Sequence, residues 1–86
     1  MKHKVEMQQE DTYRGQPLRL SYKGREYRFQ VLRKGLRKED REIKILLDGH
    51  THLLCLKEGK WSFALAVGDQ TLAQEIYRAI SLRYRL

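Results

Sequence analysis

The chain has 86 residues, of which 41% are hydrophobic, and a formal net charge of +7. That length supports one domain with a single modest core, and the longest unbroken apolar run, Phe63-Ala-Leu-Ala-Val67, is far short of the roughly 20 residues of a membrane span. One cysteine, Cys55, rules out an internal disulfide framework. Because Met1-Lys-His-Lys-Val-Glu6 has no apolar segment of signal-peptide length, the expected location is the cytoplasm.

Residues 1–16 are polar and charged without a sustained period, and read as a mobile arm in which Val5 and Met7 could alternate in a short edge strand. Residues 17–86 read as one sheet-plus-helix domain. Pro17 stands just before the first strand, where a missing N–H costs little. Leu18 to Arg33 then alternates apolar and polar residues on both sides of Gly24. A turn over Lys23-Gly24-Arg25-Glu26, with Gly24 first of the two central residues, would be type II′. It would set Tyr22 opposite Tyr27, Leu20 opposite Phe29 and Leu18 opposite Val31, with Lys23 facing Glu26. A one-residue slip would destroy the match between the two apolar faces.

Arg33 to Arg41 is dense in Arg and Lys and contains Gly35, so it reads as an exposed loop. Glu42 to Leu47 alternates as a third strand. Asp48-Gly49 is a strong hairpin signal, and a fourth strand follows from about His52 to Lys57. After Lys57-Glu-Gly-Lys60 a fifth strand is expected over Trp61 to Val67. The period then changes from 2 to 3.6. Asp69 or Thr71 can cap a helix, Thr71 and Gln74 fit a capping box, and Leu72, Ile76, Ala79 and Ile80 form its apolar stripe. Strands followed by one helix predict an α+β fold, a β-meander of four to five antiparallel strands with the C-terminal helix packed on one face.

The run Ile45-Leu-Leu-Asp-Gly49, Leu53-Leu-Cys-Leu56, Gly59-Lys-Trp61 and Ile76-Tyr-Arg-Ala-Ile80 resembles a group of small uncharacterised proteins of Bacteroidetes-type bacteria. They share a strand–DG–strand–GxW–helix layout. The resemblance spans about residues 18–86 and rests on turn and core positions. It implies the same fold and no particular activity.

The charge distribution narrows the function classes. Residues 13–41 hold ten Lys and Arg against three acids, residues 42–68 balance at three against three, and the remaining segments nearly cancel. The positive excess therefore lies on the hairpin and the loop after it. Arg19, Lys23, Arg25, Arg28, Arg33, Lys34, Arg37, Lys38 and Arg41 form a basic ribbon, the electrostatic footprint of a module that contacts an acidic protein or a nucleic acid. Tyr22, Tyr27 and Phe29 are assigned to the opposite face, which favours charge-driven contact over base stacking. The same residues also suit a solvated sheet face whose charges keep it unpaired. Leu32, Leu36, Leu46 and Trp61 are candidates for leftover apolar surface, and an unpaired sheet edge could support a homodimer.

Other chemistry finds little footing. His50 and His52 fall on one strand face and Cys55 on the other, which is a poor start for a tetrahedral metal site. Asp48, Glu58 and Asp69 stand at turns or caps, where local hydrogen bonding accounts for them. No metal, cofactor or catalytic group is assigned. The expectation is a non-enzymatic binding module, with a structural homo-oligomer as the alternative.

Overall fold

The computed structural model of the protein describes residues 13–65 and 69–86. In chain order the elements are β1 (Leu18–Tyr22), β2 (Arg25–Val31), β3 (Glu42–Leu47), β4 (His50–Lys57), β5 (Lys60–Phe63) and the helix α1 (Gln70–Tyr84). Each strand pairs antiparallel with its sequence neighbour, so the sheet order is β1-β2-β3-β4-β5. The fold is the expected α+β meander followed by one helix. Among the described residues, no helix is long and apolar enough to cross a membrane.

Three of the four strand connections are two-residue loops of the same kind. Lys23-Gly24, Asp48-Gly49 and Glu58-Gly59 all have positive φ at both central positions. This is the type I′ pattern, whose twist matches that of the flanking strands. The first hairpin thus differs from the type II′ expectation. Its centre is Lys23-Gly24, and Tyr22 pairs with Arg25, Leu20 with Tyr27 and Leu18 with Phe29. A type I′ loop tolerates Lys at its first position once Gly supplies the second left-handed residue. The correction is a shift of two residues. An even shift preserves which face each side chain occupies, so Leu18, Leu20, Tyr22, Tyr27, Phe29 and Val31 still share the apolar face.

Gly24 has φ of 78° and open space where a Cβ would stand. The cost of Gly24→Ala is therefore a backbone cost alone, expected at about 1–2 kcal/mol. Urea denaturation should register it as a lower midpoint with an unchanged slope.

The core lies between the inner face of the sheet and α1. Phe29, Val31, Ile43, Ile45, Leu54 and Phe63 meet Leu72, Ala73, Ile76 and Ile80 of the helix. Asp69 is the N-cap, its Oδ1 accepting from the Thr71 N–H at 2.9 Å. The expected Thr71/Gln74 capping box does not form, because Asp69 already caps two residues earlier and Thr71 is the second residue of the helix. At the other end Arg85 adopts the left-handed conformation and its N–H returns to the Ser81 carbonyl, a closing geometry common at helix ends.

The path of α1 positions everything that follows. Its N-cap meets the β1–β2 turn, where Tyr22 Oη donates to Asp69 Oδ2 at 2.8 Å. The Phe63 N–H of β5 donates to Gln70 Oε1 at 2.8 Å, and farther along Trp61 stacks on Tyr77 with centroids 4.3 Å apart. The last turn reaches Gly15, where an added Cβ would lie 2.6 Å from Tyr84 Oη. The sheet therefore wraps the helix so that both edge strands touch it. Trp61 is buried by this packing, and Leu36 lies against the core. Neither provides the leftover surface expected of them, whereas Leu32 and Leu46 remain half-buried on the outer face.

Strand limits differ modestly from expectation. β4 begins at His50 rather than His52. β5 stops at Phe63, although the Ala64 N–H still donates to the Leu53 carbonyl at 2.8 Å. Of the segment expected as an arm, residues 1–12 lie outside the described residues, as do 66–68 at the expected end of the fifth strand. Gly15 is buried; its N–H donates to the Val31 carbonyl and its carbonyl accepts from Gln30 Nε2, both at 2.8 Å. Arg83 donates to Gln16 across the same junction.

Candidate functional site

The basic ribbon divides into two ends that differ in charge compensation. At the β1–β2 turn end, Arg19 pairs with Glu26 at 3.5 Å, Lys23 with Asp69 at 3.0 Å and Arg25 with Asp48 at 2.9 Å. The Arg25 guanidinium also lies over the Tyr27 ring, 4.4 Å from its centroid. Asp48 uses its second oxygen to accept from the Arg28 N–H at 3.1 Å. Neither partner of the Lys23 or Arg25 pair is near in sequence. Asp48 comes from the β3–β4 turn and Asp69 from the helix cap, both delivered by the fold.

Asp69 is the most perturbed of these groups. Hydrogen bonds from Lys23, from Tyr22 and from the Thr71 N–H hold its carboxyl down to about 2. The Tyr22 hydroxyl is pushed up by burial and then by its bond to Asp69, and Lys23 is raised by its bond to the same carboxylate. A carboxylate depressed in the folded state stabilises the fold above its unfolded value of about 3.9. That contribution is lost as pH falls from there through about 2. Asp69→Asn keeps a competent N-cap and removes the titration. Between pH 5 and pH 2 the variant should therefore lose less stability than the parent, measured by urea midpoints at each pH. Parallel curves would show that the Tyr22–Asp69–Lys23 cluster does not contribute.

The loop end is different. Asp40 organises the connection between β2 and β3. Its Oδ1 pairs with Arg33 at 3.2 Å, its Oδ2 accepts from the Arg37 N–H at 2.8 Å, and its own N–H donates to the Arg37 carbonyl at 3.1 Å. Lys34, Arg37, Lys38 and Arg41 are exposed and make no ion pair among the described residues. The same holds for Arg28 on the outer face. Four of the nine predicted ribbon cations are thus paired to acids, and the unpaired ones gather mainly in the loop.

The fold adds cations to this end that the sequence reading did not include. In a meander, alternate connections share an end of the sheet, so the β4–β5 turn lies beside the β2–β3 loop. The Leu56 N–H donates to the Arg41 carbonyl at 2.8 Å, and Lys57 pairs with Lys60 in the next register position. The last turn of α1 brings Arg83 and Arg85 to the same end. The connection parity was a readable signal for Lys57 and Lys60. Arg83 and Arg85 needed the direction of the helix across the sheet. The acids at this end are Glu39, Asp40, Glu42 and Glu58, and among the described residues only Asp40 of these is tied to a cation.

The aromatic and metal candidates stand apart from this cluster. Phe29 is buried, and Tyr22 and Tyr27 lie half-buried on the helix-covered face. His52 packs on Phe63 with centroids 5.4 Å apart, while Cys55 lies buried on the outer face.

No family model, curated protein or solved structure matches this chain. The site therefore has to be interpreted from its own geometry. An exposed rim of cations around a short, internally braced loop can attract and hold a polyanion. It offers neither a nucleophile beside a base nor a cluster of metal ligands among the described residues.

Proposed function

We propose that the protein is a small non-enzymatic binding module that holds an acidic partner through the loop end of its basic ribbon. The observation that carries this reading is the unequal pairing of its cations. Where charge serves only solubility and structure, acids and bases pair, as Lys23 and Arg25 do. At the loop end Lys34, Arg37, Lys38 and Arg41 make no ion pair among the described residues, and Lys57, Lys60, Arg83 and Arg85 lie at the same end of the sheet. Keeping like charges together costs stability through self-repulsion unless a partner of opposite sign offsets it. The ribbon residues Arg19, Lys23, Arg25 and Arg33 then serve mainly in internal ion pairs.

Labelled single- and double-stranded oligonucleotides and polyglutamate, titrated at about 50 and about 200 mM salt, test the reading. Binding should be tightest at low salt and fall steeply as salt rises. Absence of binding to every one of these polyanions at low salt would remove it.

A further inference from the structure

The residues just before β1 do not continue its ladder. Extending the pairing of Leu18 with Phe29 would set Pro17 opposite Gln30 and Gln16 opposite Val31. Instead the Gly15 N–H reaches the Val31 carbonyl at 2.8 Å, one residue out of step. Pro17 has no N–H to donate, so the ladder breaks there and resumes at Gly15. A one-residue offset of this kind is a bulge, and it interrupts regular pairing.

Gly15 is gripped from both faces of the sheet. Gln30, on the outer face, donates through Nε2 to the Gly15 carbonyl at 2.8 Å. Tyr84, in the last turn of α1, approaches from the inner face. A Cβ on Gly15 would lie 2.6 Å from Tyr84 Oη and 3.3 Å from the Val31 carbonyl oxygen. Both backbone polar groups of this buried residue are thereby satisfied. Arg83 adds a bond to Gln16 Oε1. Each of these contacts runs to β2 or to the last turn of α1.

We infer that Gly15-Gln16-Pro17 is a latch that clasps the last turn of α1 to β2 and opens together with that turn, separately from the core. The offset at Pro17 uncouples the segment from the β1–β2 ladder. The close seat of Tyr84 on a residue without a side chain couples it to the helix instead. The helix end is closed on itself, with the Arg85 and Leu86 N–H groups both returning to the Ser81 carbonyl. Ile80 and Ile76, one and two turns earlier, are fully buried and remain packed when the last turn lifts. A segment held by a few bonds beside such a core opens at lower free energy than the core itself. Because that turn carries Arg83 and Arg85, the latch also sets where these two cations stand.

Native-state hydrogen exchange on the whole chain, read amide by amide and corrected for intrinsic rates, tests this. The Gly15 and Tyr84 amides should be protected, share one opening free energy, and exchange at least about tenfold faster than Ile76. Gly15→Ala should speed both by about a further tenfold and leave Ile76 within about threefold of the parent. Adding Tyr84→Phe removes the atom that the new Cβ would meet, and should return residue 15 to within about threefold of the parent rate. The latch is overturned if Gly15 exchanges at the unprotected rate or only together with Ile76. It is equally overturned if Gly15→Ala speeds residue 15 and leaves Tyr84 unchanged. The parent rates of Gly15, Tyr84 and Ile76 decide the matter even where a variant does not fold.

Discussion

Reversing the charge of Arg37, Lys38 and Arg41 together should weaken duplex or polyglutamate binding by about a hundredfold at low salt. It should also lower the salt slope of the duplex affinity by roughly 2 to 3, since each lost phosphate contact removes about 0.9 from it. All three side chains are exposed, and Arg37 braces the loop through its backbone N–H and carbonyl rather than its guanidinium. The fold should therefore survive, with thermal unfolding near that of the parent. Lys23→Gln with Arg25→Gln is the matched comparison. Those cations are already engaged by Asp69 and Asp48, so their loss should change affinity less than about threefold, while removing modest surface ion pairs. Anisotropy titrations across the salt range check both variants. Equal losses in the two would mean that binding follows net charge, and the loop end would lose its special standing.

The largest stability effect is expected at Phe29. Its side chain is 2% exposed, with β1 and β3 on either side, paired with Leu18 across one ladder and Leu47 across the other. Removing a ring from such a position forfeits transfer free energy and leaves a cavity that the surrounding strands cannot close. Phe29→Ala should cost about 3–5 kcal/mol, a large fraction of the roughly 5–15 kcal/mol available to a domain. Trp61, the only tryptophan, is buried against Tyr77 and reports unfolding by fluorescence. An unfolding free energy within about 1 kcal/mol of the parent, from urea denaturation, would place the core somewhere other than between the inner sheet face and α1.

Both expectations trace back to patterns of different range. The period-2 alternation from Leu18 to Leu47 and the turn glycines Gly24, Gly49 and Gly59 were enough to assign four to five strands, their order and the face that would meet the helix. They suffice because strand parity is a local property: neighbouring residues point opposite ways, and a hairpin error of two residues leaves every face unchanged. The same locality explains the one register mistake. Lys23-Gly24 and Gly24-Arg25 are both acceptable turn centres by composition, and only the pairing of the whole hairpin separates type I′ from type II′.

The basic ribbon was legible as a concentration of charge, because a count along the chain needs no geometry. What the count could not show was which charges were already spent. Asp48 and Asp69 lie 23 and 46 residues from Arg25 and Lys23, and only folding brings them within reach. The meander and the direction of α1 then carry Lys57, Lys60, Arg83 and Arg85 to the end of the sheet that holds the β2–β3 loop. Sequence alone therefore determined the fold class, the apolar face and where along the chain the positive excess lies. Tertiary structure decided which of these cations are paired to acids among the described residues, because Coulomb interactions depend on distance in space and not on separation along the chain.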